Sequence, residues 1–254
     1  KGNTANIQDA LPTRGDIKYA NGSIEEDVSC GSDITDECDA GGIQSYFTSI
    51  IAEGLSIVHA VNVPESWGNV PTWFGSLNFF EGLHGYWLIA DIPDHIESIS
   101  FIFNMTTLED PVESARKVSP IAEKPLGLDF AQSSEQAFYY IGEPVLENAN
   151  VANGDWFVSY CGSTITGSRK YTGEMIDIPV MGYDGHHSTA GYCECGDTPE
   201  FKLIKSETGE MIDLYSITPS WESNGIFFLN DVRETDPMPY DFNMLSAYPN
   251  PFNP

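Results

Sequence analysis

The sequence contains very few basic residues. Its 254 residues include 11 Lys and Arg against 38 Asp and Glu, for a net charge of −27, and no Lys or Arg occurs from Tyr19 to Ala115. Such a surface repels phosphate backbones and anionic lipids, so we expect neither nucleic acids nor acidic membranes as partners. Two interpretations of the acidity remain: a solvated face suited to salty surroundings, or carboxylates that bind a divalent cation.

The chain also lacks an apolar run of about 18 residues, and we therefore expect no transmembrane segment. Catalytic signatures are missing too. There is no G-x-S-x-G elbow, no H-E-x-x-H pair and no Ser/His/Asp set recognisable by its context, and acidic pairs are too frequent for any one to stand out as a glycosidase dyad. The sequence predicts a protein that is not an enzyme.

The residues that are present predict an all-β protein. Hydrophobic residues make up 41% and aromatic residues 12% of the chain, which is typical of a folded domain. With 23 Gly and 16 Pro, turns should be frequent and strands short. We expect two β-sandwich-like modules, with one short helix in the first, joined by polar linkers that contain proline.

Five segments are predicted along the chain. Residues 1–27 are a linker or irregular edge, 28–105 the first β module, 106–124 a linker, 125–232 an antiparallel β-sandwich, and 233–254 a linker that leads into a terminal tail. The helix is expected from Ile43 to Ile51, where apolar residues have helical spacing and Gly54 follows as a cap. Short strands are predicted at 56–61, 85–90 and 98–103, and then at 136–141, 155–161, 168–172, 200–205, 211–217 and 225–229.

The five cysteines favour an oxidising compartment. Cys30 and Cys38 lie eight positions apart in a Gly/Ser/Asp loop and suit a local disulfide. Cys161 has two candidate partners, Cys193 and Cys195, and one thiol is left over in either case. Cys193 and Cys195 do not suit each other, because residues two apart on an extended chain diverge too far for a disulfide.

Two stretches contain candidate metal ligands. The acidic loop 27–39, which contains Cys30 and Cys38, holds Asp27, Asp33, Asp36 and Asp39 as predicted calcium ligands, against the alternative of a solvated surface loop. The second stretch runs from Asp184 to Cys195 and holds two histidines and two cysteines. Its spacing matches no standard zinc site, so loop histidines and a disulfide are the preferred interpretation.

The five tryptophans suggest sugar binding, because an indole offers a flat apolar face for stacking. Trp87 and Trp156 lie within apolar strands, which favours core positions. Trp67 and Trp73 lie in the loop 64–75 and are the predicted exposed, ligand-binding residues.

Three stretches resemble secreted bacterial proteins that use the type IX secretion system. The tail Tyr248–Pro254 reads YPNPFNP, which is similar to the start of their C-terminal sorting domain. Residues 50–54, followed by 74–77 and then 82–89, resemble a module in which a G-W-x-G-S-L phrase precedes a G-Y-W strand, and the phrase 73–77 departs slightly from that pattern. Residues 155–203 resemble the β-sandwich that often precedes the sorting domain. The resemblance implies export to the outer cell surface and implies no activity.

The expected function is therefore that of a non-enzymatic extracellular surface protein in adhesion or assembly, such as a filament or sheath subunit. Its expected partners are copies of itself, surface proteins or glycans. No cofactor is expected to be required, and calcium is the candidate ion. The alternative is a carbohydrate-binding accessory module of a secreted degradative enzyme.

Overall fold

The computed structural model describes residues 4–12, 14–28, 42–60, 63–68, 72–81, 84–103, 127–147, 150–173 and 175–234. Residues 4–103 are called the N-terminal part and residues 127–234 the C-terminal part. The described residues form an all-β protein, as predicted, in which several antiparallel sheets pack together. None of their helices is long and apolar enough to cross a membrane. The predicted linker 106–124, the pair Cys30 and Cys38, and the tail Tyr248–Pro254 lie outside the described residues.

The strands of the N-terminal part are β1 (Thr4–Asn6), β2 (Gly15–Tyr19), β3 (Ile24–Val28), β4 (Phe47–Ala52), β5 (Leu55–His59), β6 (Trp73–Gly75), β7 (Phe79–Glu81), β8 (Trp87–Ala90) and β9 (Ile96–Phe101). They form the antiparallel sheets β3-β2-β9, β6-β5-β4-β8 and β1-β7. The helices of this part are α1 (Ile7–Ala10) and the short 3-10 helices Gly42–Tyr46 and Glu65–Trp67.

The segment 1–27, predicted to be a linker or irregular edge, contains paired strands instead. β1 pairs with β7, and β2 pairs with both β3 and β9. Ile17 is fully buried and Tyr19 is buried, while Asp16 before them is exposed and Lys18 between them is half-buried. Only a few apolar side chains anchor this sheet, so the composition of the segment resembled that of a linker.

The helix predicted from Ile43 to Ile51 is wrong. The 3-10 helix Gly42–Tyr46 leads directly into β4. Ile50 packs into the core of the N-terminal part, whereas Ile51 points the other way, toward residues of the C-terminal part. A strand buried on both faces shows a nearly continuous apolar run, and such a run also fits the helical period.

The strands of the C-terminal part are β10 (Gln136–Ile141), β11 (Trp156–Cys161), β12 (Thr164–Lys170), β13 (Ile176–Met181), β14 (Glu200–Ile204), β15 (Met211–Leu214) and β16 (Ile226–Leu229). They form the sheets β13-β10-β16 and β12-β11-β14-β15, antiparallel throughout except for the parallel pair β10 and β16. The inner faces of the two sheets share one core, in which Tyr139, Ile178, Phe157 and Leu203 are fully buried. This arrangement is sandwich-like.

A disulfide joins the two sheets of this sandwich. Cys161, the last residue of β11, is bonded to Cys193, which itself forms an isolated bridge with Gly182 after β13. Cys195 is free and exposed. Of the two partners open to Cys161, the fold selects Cys193, whose side chain is fully buried beside the core.

The middle sheet of the molecule, β13-β10-β16, is covered on both faces. All six residues of β10 are buried. Tyr139 points into the sandwich core, while Phe138 and Tyr140 point the other way and pack against Val58 and Phe74 of the N-terminal part. We call this contact between the sheets β13-β10-β16 and β6-β5-β4-β8 the seam. Burial of each large apolar side chain in it contributes about 1.5–3 kcal/mol.

Candidate functional site

A buried polar network closes the middle of the seam. Asp177 of β13 is buried, and its Oδ2 accepts hydrogen bonds from the Ser56 hydroxyl at 2.9 Å and the Ser76 hydroxyl at 2.6 Å. Arg169 of β12 pairs with the same oxygen at 3.3 Å. The network joins Asp177 to residues more than a hundred positions away, and Asp177 and Ser56 are both buried in it. Its role is to fix the two parts against each other.

Tyr140 belongs to the same network. Its hydroxyl lies 2.8 Å from the Ser56 hydroxyl. Burial and then the negative charge of Asp177 raise the pKa of Tyr140 well above its ordinary value, so the phenol stays protonated. The backbone approaches closely here, since a Cβ added at Gly75 would lie 2.3 Å from the Ser56 carbonyl oxygen and 2.8 Å from the Tyr140 hydroxyl. Only glycine fits at this position.

The turn between β4 and β5 is held by side chains of the C-terminal part. The Gln136 amide donates to the Ala52 carbonyl at 3.0 Å and accepts from the Gly54 N–H at 3.0 Å. Arg169 donates to the Gly54 carbonyl at 2.8 Å. The backbone groups of this turn are therefore bonded across the seam, and the surface around the turn is rigid.

An open cleft of about 290 Å³ lies beside this turn. We call it the Trp87 cleft. Trp87, the first residue of β8, is 44% exposed in it. Its other walls are mainly polar and include Glu53, His84, Gln132 and Ser134, with the buried Gln136 at its base.

A second, larger cleft of about 680 Å³ lies at the opposite end of β10. We call it the Trp67 cleft. Its lining combines Trp67 of the N-terminal part with residues of the C-terminal part, among them Glu143, Asn230 and Asp231. The Trp67 indole N–H donates to Asn230 Oδ1 at 2.7 Å, and its ring meets Phe228 edge-on at 5.4 Å. Trp67 is therefore held in place as a wall of this cleft.

The tryptophans differ from their predicted environments. The predicted exposure of Trp73 is wrong: it is 2% exposed, its ring packs against His59 and its N–H bonds to Gln44. Trp73 is the first residue of β6, which pairs with β5 in the sheet. Because its indole is buried, no face of the ring is available to stack on a sugar. Trp67 does line a cleft. Trp87 was missed, because an apolar strand at the edge of a sheet resembles a core strand in sequence.

Of the four predicted calcium ligands, one lies within the residues that the structure describes. Asp27 is exposed and pairs with Arg14 at 2.8 Å, while Asp33, Asp36 and Asp39 lie outside the described residues. The calcium site remains a prediction. Across the described ranges, no group of three or more His, Cys, Asp or Glu side chains is placed to hold a metal ion.

The stretch from Asp184 to Cys195 forms a structured loop. Asp184 accepts hydrogen bonds from the Thr189 hydroxyl at 2.6 Å and from the His186 N–H at 3.0 Å. These bonds, the Thr189 bond first, lower the pKa of Asp184 to about 2. Cys193 forms a disulfide and is therefore not available as a metal ligand. This favours the preferred interpretation of the stretch, in which the histidines belong to a loop and the cysteine to a disulfide.

Comparisons with known proteins add no relative. No protein-family model, no curated protein and no solved structure matches this chain.

Proposed function

We propose that this chain is a non-enzymatic extracellular protein, exported by the type IX route, that acts at the outer cell surface in adhesion or assembly. The observation that carries the proposal is the pair of open clefts at opposite ends of a seam closed by the Asp177 network. A body fixed by buried hydrogen bonds keeps its clefts in one shape, and a preformed cleft loses less entropy on binding. The acidic sequence and the resemblance of the tail support the outer surface as its place.

Assembly is supported by the edge strand β8. Among the strands that the structure describes, β8 pairs only with β4, so its other edge is open to a further strand. An edge strand accepts an added strand through its free N–H and C=O groups. Copies of this chain, or another surface protein, would join there, as in a filament or sheath.

Two measurements test adhesion and assembly. Light scattering over a wide range of protein concentration, with calcium and with a chelator, should show oligomers if the chain assembles. Incubation of the labelled chain with intact cells should show saturable retention if it adheres. A chain that stays monomeric in both media and is retained on no cell surface contradicts the proposal.

Calcium is part of the proposal through the loop that contains Asp27 and Asp39. Clustered carboxylates in a disulfide-tied loop would supply the oxygen ligands that calcium prefers. Titration calorimetry should show heat on addition of calcium, and a chelator should lower the melting temperature. An absence of both effects would remove calcium and leave adhesion and assembly standing.

A carbohydrate-binding accessory module of a secreted degradative enzyme is the second candidate. It is favoured by the tryptophan in each of the two clefts. Sedimentation with insoluble polysaccharides distinguishes it: an accessory module should be pulled down by the polymer that its enzyme degrades and should remain monomeric in solution.

A further inference from the structure

We propose that the Trp87 cleft binds a neutral saccharide, with Trp87 as the surface on which a sugar ring stacks. The proposal rests on the proposed function in adhesion and deepens it, because it assigns both the site and the chemical class of the ligand.

The position of Trp87 makes it a platform. In the register of β4 and β8 it lies opposite Ile51, whose side chain faces the seam, so Trp87 shares that face. At the start of β8 the seam opens, and the indole is left 44% exposed in the cleft. The C–H groups of a pyranose ring carry a slight positive charge and pack on the negative face of an aromatic ring.

The rest of the cleft supplies hydrogen-bonding groups around this platform. Among the described residues, the Glu53 carboxylate and the Gln132 amide have no hydrogen-bond partner in the protein, although both line the cleft. Together they can accept from and donate to sugar hydroxyls. A volume of about 290 Å³ is close to the lower end of ligand sites, roughly 300–1,000 Å³, and suits one or two sugar rings.

The base of the cleft is preorganised. Gln136 holds the Ala52 carbonyl and the Gly54 N–H, and the Gln132 amide lies over Gly54, 3.2 Å from where a Cβ on that glycine would be. These buried bonds hold the backbone turn that carries Glu53, so little entropy is lost in ordering this part of the cleft when a ligand binds.

The charge of the cleft selects a neutral ligand. Glu53 is the one Asp, Glu, Lys or Arg among the described lining residues, and the chain has no Lys or Arg from Tyr19 to Ala115. Sialic acids, uronic acids and sulfated sugars would meet repulsion from Glu53, with no Lys or Arg in the lining to offset it. The Trp67 cleft is less suited, because its indole N–H is already bonded to Asn230 and both Glu143 and Asp231 line it.

The test is a glycan array of neutral and anionic oligosaccharides, followed by tryptophan-fluorescence titration of the best binder. We expect neutral glycans to bind and to quench fluorescence. Trp87→Ala should weaken binding at least tenfold, and Trp87→Phe should retain part of it because a smaller ring still stacks. Trp156→Phe, at a tryptophan that lines neither cleft, is the control and should bind like the wild type, while Trp67→Ala reports on the other cleft. Near-ultraviolet circular dichroism checks that each variant is folded.

Each other outcome overturns the assignment in a distinct way. Equal binding by Trp87→Ala, or its loss in Trp67→Ala alone, would move the site elsewhere while adhesion stands. Binding of amino sugars that falls steeply with salt and is abolished by Glu53→Gln would make the ligand a cation. No glycan binding, combined with assembly or cell retention, would remove the saccharide but keep the proposed function; the loss of all three would remove both.

Discussion

His59 is an ionisable side chain in the core of the N-terminal part. It is fully buried on β5, and its ring meets Trp73 edge-on at 4.9 Å. Burial lowers the pKa of His59 below its ordinary value, because the charged imidazolium would lose its hydration. The folded protein therefore favours the neutral ring.

This histidine should make the protein less stable in mild acid. Its folded pKa lies below the unfolded value of about 6.5, so its contribution to stability is complete above that pH and is lost as pH falls through the folded pKa. Urea unfolding at a series of pH values should show this decline, and His59→Gln should flatten it. The exposed His187, changed to Gln, is the control and should keep the wild-type profile. Superimposable profiles for His59→Gln and the wild type would contradict the expectation.

The environments of the tryptophans show the limit of reading single residues from sequence. Trp73 stands in a loop-like, Pro- and Gly-containing stretch and is buried, whereas Trp87 stands in an apolar run and is exposed. An indole is compatible with both settings. Whether the indole is buried or exposed depends on whether a neighbouring sheet covers that end of the strand. The local sequence around each tryptophan does not indicate this.

At the scale of elements, the β4–β5 hairpin and β10 are stabilised together. Gln136 begins β10 and is 1% exposed, and its two hydrogen bonds reach the turn of the hairpin. The Ala52 carbonyl, the Gly54 N–H and the Gln136 amide form these hydrogen bonds only when the hairpin and β10 pack together. The hairpin atoms and the amide come from positions more than eighty residues apart.

Gln136→Ala should lower the free energy of unfolding by about 2–3 kcal/mol, since it leaves two buried backbone groups without their partners. Urea denaturation measures the loss, and hydrogen exchange should locate it at the Gly54 amide. Gln132→Ala is the matched control, an exposed glutamine on the same segment, and should change stability by at most about 0.5 kcal/mol. Equal effects of the two substitutions would argue against the clamp.

The strands were predictable where local pattern and tertiary environment agree. The bounds 136–141 match β10, and 200–205 and 225–229 nearly match β14 and β16. β13 was missed because Pro179 lies in it, and proline argues against a central strand. β13 is an edge of its own sheet, where a missing N–H is tolerated.

For the whole molecule, the disulfide within the described residues is a strong constraint on the unfolded chain. It joins Cys161 and Cys193 across a separation of 32 residues. Loop-closure entropy predicts that a loop of this length contributes about 3–4 kcal/mol. Loss of the disulfide should lower the stability of both sheets of the sandwich, because the bond links them.

Replacing both bonded cysteines by alanine should lower the free energy of unfolding by about 3–4 kcal/mol. Calorimetry or urea unfolding measures the change, and a reducing agent should produce at least as large a loss in the wild type, because it would also break the predicted Cys30–Cys38 disulfide. Cys195→Ser is the control and should leave stability unchanged, because that thiol is exposed and free. An equally large effect of Cys195→Ser would mean that this thiol has a partner.

By itself, the sequence determined the all-β class, most strands of the C-terminal part, the strongly acidic net charge and the choice of Cys161 with one of two cysteines. These follow from composition and from periods of two residues, which are local. The tertiary structure decided the partner of Cys161, the strand nature of β4, the seam, and which tryptophan faces solvent. Those features depend on contacts such as Ser56 with Asp177, formed between residues 121 positions apart, where no local pattern can specify what will cover a side chain.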